Sequence, residues 1–339
     1  MGILLFSLFR SNSQTETILF GVFATVIFTF LIIDLGVFNK SAKKISTKSA
    51  LIQSIFWVIV SSIFGYLVYY FDKDGAASGN SFDKSIEFFS AYLTEYALSV
   101  DNIFVILLIL KYFSVKEEYY HNVLFWGILG AVVFRGVFIF VGALLIGKFH
   151  WILYVFGVFL IYSGVKIYFE DSDEKIDPEK NPILKLCRKY LPITKDEMGG
   201  KFLISQNGKW MFTPLFLVIV LIETTDLIFA VDSIPAAFAI TQNEFLIYTS
   251  NIFAVMGLRA MFFLLAGIID KFYLLQKGLS IILFFIGAKM LLEIVPIELS
   301  PTLSFTVIIV TLTLSIIFSV VIPNKDKDEE SQEAEEVKS

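Results

Sequence analysis

The 339-residue chain has a single cysteine, Cys187, and two histidines, His121 and His150. One thiol excludes an internal disulfide framework and any thiolate metal cluster. Two imidazoles, both near expected helix ends, make a histidine-based metal centre improbable. Charged residues make up 17% of the chain, too few for an ordinary soluble surface. The sequence contains no glycine-rich phosphate loop, no nucleophile elbow and no metalloprotease histidine pair. Enzymatic chemistry, a bound cofactor and nucleic-acid contact all lack a sequence basis, so oxygen atoms are the ligands that remain.

What is present is apolar surface. Hydrophobic residues make up 56% of the chain, mean hydropathy is +0.75 and there are 37 phenylalanines. These values predict an all-α polytopic membrane protein whose phenylalanines face lipid. A helix crosses the hydrocarbon core in roughly 20 residues. Nine runs meet that length, approximately Ile18–Phe38, Ala50–Phe71, Ser85–Leu110, His121–Gly147, Trp151–Phe169, Phe212–Ile240, Phe245–Ile269, Tyr273–Leu292 and Thr302–Ile322. The first 17 residues lack a basic stretch ahead of an apolar core, so no cleaved signal peptide is read there.

Lysine and arginine resist translocation and collect in cytoplasmic loops. They follow the first, third, fifth, seventh and ninth spans, at Lys40 to Lys48, at Lys111 and Lys116, from Lys175 to Lys209, at Lys271 and Lys277, and from Lys325 onward. The other side has Arg10, Lys73, Lys84 and Lys148. This asymmetry predicts an outside N-terminus and a cytoplasmic C-terminus. The expected organisation is an N-terminal part with two helices (1–84), a first three-helix unit (85–169), a cytoplasmic loop (170–211), a second unit (212–292), a ninth helix (293–322) and a solvated acidic tail (323–339). Within the loop, residues 182–191 fit either a short interfacial helix or a plain linker.

Carboxylates inside these spans carry the functional signal. Glu95-Tyr-Ala-Leu-Ser-Val-Asp101-Asn102 and Asp226-Leu-Ile-Phe-Ala-Val-Asp232-Ser233 place acids at the same spacing, and Glu223 lies one turn before Asp226. An ionisable group at membrane depth costs about 2.5–3.5 kcal/mol on insertion scales, so such a cluster needs a partner or a cation. The two motifs match at an offset of 131, Arg135 matches Arg259 at 124, and Gly164, Lys166 and Glu170 match Gly287, Lys289 and Glu293 at 123. The repeating unit is three spans. Because three is odd, the second copy enters from the opposite face, which predicts inverted repeats meeting at a midplane site.

Residues seven apart lie about 20° from each other around a helix, and residues six apart about 120°. Glu95 therefore shares a face with Asn102, and Asp226 with Ser233, whereas Asp101 and Asp232 point elsewhere. Either the helices are interrupted at the acids, which Pro235 favours in the sixth span, or the second acid of each pair makes another contact. Arg135 and Arg259 supply intramembrane counter-charges and allow a purely structural reading, in which the acids are permanently paired. Five acids against two arginines leave three negative charges, and a divalent cation offsets two at once. Asp34, near the end of the first span, is either a gate residue or an interfacial acid. Lys166 and Lys289 are expected to snorkel. Gly127, Gly130, Gly136, Gly157 and Gly164 are expected to permit close helix packing.

The two acidic motifs, together with Glu223-Thr-Thr-Asp226, Ser233-Ile-Pro235-Ala and Gly257-Leu-Arg259-Ala, resemble the TerC/Alx family of bacterial integral membrane proteins. The resemblance implies membership of the LysE-like transporter superfamily and, for several members, Mn²⁺ efflux; the family name records tellurium resistance. It assigns ion handling to Glu95, Asp101, Asn102, Asp226, Asp232 and Ser233, with Glu223 added. Oxygen donors suit Mn²⁺, Mg²⁺ and Ca²⁺ alike. The expected function is a secondary transporter exporting a divalent cation from the cytoplasm across the bacterial inner membrane, with proton exchange as one coupling. Mn²⁺ is the expected cargo and no cofactor is expected. The bilayer, a second copy of the chain or other membrane proteins are its expected partners. The alternative is a membrane scaffold with a structural polar core.

Overall fold

The structure is a computed structural model that describes residues 14–38, 47–71, 80–149, 151–169, 182–194, 200–206, 209–266, 273–292, 294 and 299–322. Its long helices are α1 (Gln14–Phe38), α2 (Thr47–Phe71), α3 (Asn80–Tyr112), α4 (Tyr120–Lys148), α5 (Ile152–Phe169), α7 (Pro214–Ile240), α8 (Glu244–Leu265), α9 (Tyr273–Leu292) and α10 (Pro301–Val321). Between α5 and α7 lie a short helix α6 (Pro182–Tyr190) and an antiparallel hairpin, β1 (Leu203–Gln206) with β2 (Lys209–Phe212). Among the described residues, eight helices are long and apolar enough to cross a membrane. The ninth long helix, α3, spans 33 residues and has lower hydropathy because it carries the acids. The chain is an all-α polytopic membrane protein with a small hairpin inserted in its central loop.

Local chemistry explains several helix ends. Asn243 starts α8 by accepting from the amides of Phe245 and Leu246, and Ser300 starts α10 by accepting from Leu303. Proline opens both α7 and α10, where its missing N–H costs nothing. Pro235 does not interrupt α7, contrary to the expectation from its position; the helix runs unbroken to Ile240. In a bundle, neighbouring groups satisfy the backbone that a proline frees, so the ring is tolerated. Lys289 also departs from expectation, because it is 8% exposed and buried near Glu87 and does not snorkel.

Helix α8 forms the centre, with 94% of its apolar window buried, and packs against α2, α3 and α4. The helices α3 and α7 pack together, as do α5 and α9. Glycine permits the α5–α9 approach: a Cβ on Gly287 would lie 2.6 Å from the Gly157 carbonyl oxygen, and one on Gly164 2.7 Å from that of Ser280. Outward faces of α1, α2, α5 and α10 expose Ile32, Ile52, Val158 and Val320, as a lipid-facing surface does.

The core is divided into two apolar clusters. Along α3 the first stops at Tyr92 and the second begins at Ile103; along α7 the second ends at Ile222 and the first resumes at Ala230. These two gaps hold Glu95 and Asn102 on one helix and Glu223 and Asp226 on the other. The hydrophobic pattern therefore places a polar layer across the interior, between the two apolar blocks.

Candidate ion site in the polar layer

Arg135, from the middle of α4, is fully enclosed at 0% exposure and organises this layer. Its Nη1 donates to Glu95 Oε1 and to Asn251 Oδ1 (2.7 Å), its Nη2 donates to Asp226 Oδ1 (2.8 Å) and its Nε to Asp226 Oδ2 (3.2 Å). The planar guanidinium thus holds Asp226 with two parallel bonds and Glu95 with another, the geometry in which arginine exceeds lysine. Asn251 of α8 closes the ring by donating to Glu95 Oε2 at 3.0 Å. Glu95 and Asp226 occupy matching positions of the two sequence motifs, and one cation takes both. Such pairing offsets the cost of burying each charge; removing one partner of a buried pair costs about 3–5 kcal/mol.

Beside this network the polar groups are incompletely satisfied. Asn102 Nδ2 reaches Asp226 Oδ1 at the long limit of 3.5 Å, while its Oδ1 is buried without a hydrogen-bond partner. Both carboxylate oxygens of Glu223 are buried without a hydrogen bond. Glu223 lies flat against α4, where a Cβ added to Gly130 would run into its carboxyl group and one on Gly127 would stand 3.9 Å away. The two glycines make the slot that admits this acid. Ser233 Oγ is likewise buried and unbonded.

A cavity of ≈ 20 Å³, room for about one water, is lined by Asn102, Gly127, Thr225, Asp226, Phe229 and Arg259 among others. Its lining belongs to the parts of the helices nearer the end where α3 and α8 finish and α4 and α7 begin. At the opposite end, Thr241 Oγ1 donates to Glu87 Oε2 (2.6 Å) and Asn243 Nδ2 to Glu16 Oε1 (3.2 Å). Glu87 and Asn102 are as far apart along α3 as Thr241 and Asp226 are along α7, about 22 Å at 1.5 Å per residue, so the two helices align antiparallel in register. Those bonds link the helix ends opposite the cavity.

The remaining expected residues are distributed as helix geometry requires. Asp232 sits apart, accepting from Ser163 Oγ of α5 at 2.9 Å, with Lys166 nearby. The Asp101 side chain lies outside the described residues, as do the Asp34 side chain, His150 and the acidic tail. Arg259, the counterpart of Arg135, is half-buried and lines the cavity. Among the described residues, no three Asp, Glu, His or Cys side chains form a ready-made metal cage. Sequence reasoning missed Asn251 and Ser163, since a lone amide or hydroxyl in an apolar run gives no periodic signal.

Comparison with known proteins is consistent with this architecture. Residues 80–327 match the model of the integral membrane protein TerC family. An uncharacterised membrane protein of Rickettsia bellii is 43% identical over 89% of this chain and 97% of its own length. An uncharacterised membrane protein of Myxococcus xanthus is 40% identical over 91% and 95%. A protein of Photorhabdus laumondii named as a putative membrane-bound redox modulator, Alx, is 42% identical over 83% and 88%. No solved structure matches the chain. With relatives this similar along nearly their whole length, the chain belongs to the TerC family of integral membrane proteins.

Proposed function

We propose that the chain is a secondary transporter that exports a hard divalent cation, with Mn²⁺ as its first cargo, from the cytoplasm. One observation carries this reading: beside the saturated Arg135 network stands Glu223, a carboxylate with both oxygens buried and unbonded, packed against Gly127, which with Asp226 and Asn102 lines the cavity. Glu95 and Asp226 pair with the Arg135 guanidinium, and Glu223 adds a third carboxylate, without such a partner, whose charge a bound cation would offset. Carboxylate and amide oxygens suit Mn²⁺ and Ca²⁺ and disfavour softer ions. Cargo would meet Asp226, Glu223 and Asn102 from the cavity side, with Arg135 holding Asp226 and Glu95 in place behind them.

The helix contacts support an inverted-repeat arrangement. The lead helix of the first unit, α3, packs on α8 of the second, and the lead helix of the second, α7, packs on α4 of the first; α3 meets α7 and α5 meets α9. Each contact has its counterpart under exchange of the units. With the lysine-rich loops in the cytoplasm of a bacterial inner-membrane protein, the cavity faces inward and the Glu87–Thr241 end is the closed outer side. Rocking of the units would then open the other side, driven by an ion gradient or the membrane potential. The name of the Photorhabdus relative raises a redox role, but a chain with one cysteine has no internal dithiol couple, so any redox effect of this chain would be indirect.

Glu223→Gln separates transport from a structural polar core. It removes a carboxylate that makes no hydrogen bond, so folding should be preserved, while cells carrying it should accumulate Mn²⁺ as cells lacking the protein do. A Glu223→Gln protein that still lowers cellular Mn²⁺ like the parent contradicts the proposal and leaves the scaffold reading.

A further inference from the structure

The central loop carries an element that the transport reading does not use. Helix α6 is amphipathic: Leu184, with 0% exposure, and Cys187 face the bundle, Lys185 and Lys189 lie away from it, and Arg188, about 40° round from Leu184, is exposed at the edge between the two sides. The bundle covers half of its apolar side. Leu186 and Tyr190 continue that side around the helix, 57% and 67% exposed. The adjoining hairpin adds Trp210, 66% exposed, and Leu203, 40% exposed. Backbone bonds tie the stretch after α6 to β2, Thr194 N to Phe212 O (2.8 Å) and Phe212 N to Pro192 O (2.9 Å), and tie Phe202 to the residue that caps α7, Thr213 N to Phe202 O (3.1 Å), while Phe202 packs edge-on against Trp126 of α4.

We infer that α6 and the β1–β2 hairpin form a membrane-surface anchor that binds anionic lipid headgroups. The unit meets α4 where Phe202 packs on Trp126, itself 47% exposed, which sets it beside the outward surface of the bundle. Exposed tryptophan and tyrosine belong at the bilayer interface, where one end is apolar and the other wet. The basic arc has the sign that an anionic leaflet attracts. Lys189 also sits 5.4 Å from the Tyr190 ring, a pairing that keeps the ammonium beside an aromatic face at the headgroup level. Because the unit is hydrogen-bonded to the start of α7, lipid binding bears on the helix that carries Glu223 and Asp226. The inference holds whatever the cargo is.

The test uses the full chain in nanodiscs. Leu186→Cys, in a Cys187→Ser background, is labelled with an environment-sensitive fluorophore and quenched by lipids carrying a headgroup-depth spin label. Strong quenching is expected in phosphatidylglycerol and weaker quenching in phosphatidylcholine, with no reversal by excess inorganic phosphate. Neutralising Lys185, Arg188 and Lys189 together to glutamine should lower the docked-to-undocked ratio in phosphatidylglycerol by up to about a hundredfold, since each cation at an anionic surface contributes on the order of a fivefold factor. Equal quenching in the two lipids, insensitivity to the triple substitution, or reversal by phosphate overturns headgroup recognition. No quenching in either lipid also overturns it, and leaves the exposed arc to a protein partner. Wild-type protein that docks on phosphatidylglycerol but exports no Mn²⁺ would contradict the proposed function and leave this inference standing.

Discussion

Arg135 and Arg259 occupy matching places in the two halves of the chain, yet their surroundings differ. Arg135 is completely enclosed and spends its donors on Glu95, Asp226 and Asn251, whereas Arg259 is half-buried at the edge of the cavity. The two matching stretches of sequence are therefore unequal at the centre. One arginine holds a pair of acids, and the other lines the cavity. The same inequality separates the acids: Glu95 is saturated, while Glu223, which has Tyr92 at the matching position of the first unit, has no hydrogen bond. The proposed transport would require a site that is held in place without being filled, and the contrast between locked and unsatisfied groups is the feature that supports it.

The comparison is broken most severely by Arg135→Ala, which leaves two carboxylates buried without their cation. A loss of about 3–5 kcal/mol is expected, seen as a large fall in melting temperature or loss of the monodisperse species in detergent. Arg259→Ala should cost less by the same assay; equal losses would mean that the two arginines are alike. Arg135→Lys should fall between wild type and Arg135→Ala, because an ammonium keeps the charge without the fork that grips Asp226.

A smaller effect is expected at the glycine slot. Gly130→Ala puts a methyl group where the Glu223 carboxyl lies, at a cost of about 1–3 kcal/mol of overpacking, with a matching fall in Mn²⁺ export as the acid is displaced. Gly127→Ala meets Ile222 Cγ2 at 3.3 Å, an adjustable side chain, and should be milder in both measurements. The smallest effect belongs to Asp232→Asn, since an amide oxygen still accepts from Ser163; less than about 1 kcal/mol is expected in thermal unfolding. Export should be impaired less by Asp232→Asn than by Asp226→Asn, and the reverse order would return Asp232 to the centre of the site.

Much of this arrangement was legible before any coordinates. Apolar run length anticipated the long helices seen among the described residues, eight of them apolar enough to cross a membrane, because the bilayer leaves a chain few alternatives. Seven-residue spacing placed Glu95 with Asn102 on one face, and six-residue spacing set Asp232 apart; unbroken helices obey that arithmetic. Pro235 misled because its local cost is real but small once a bundle surrounds it. Asn251 was invisible because a lone amide in an apolar run has no periodic signature, and its value comes from where α8 packs. Which arginine would hold both acids was not legible either, since the two units read alike at Phe134-Arg135-Gly136 and Leu258-Arg259-Ala260 and differ only through the neighbours that folding brings to each.

The most direct test is Mn²⁺ binding by the purified protein, measured by equilibrium dialysis with radioactive Mn²⁺ on the wild type and on folded Glu223→Gln and Asp226→Asn proteins. Saturable binding by the wild type, lost in both variants, is the predicted result. Wild-type protein that binds no Mn²⁺, or variants that bind it as the parent does, would contradict an ion site in the polar layer.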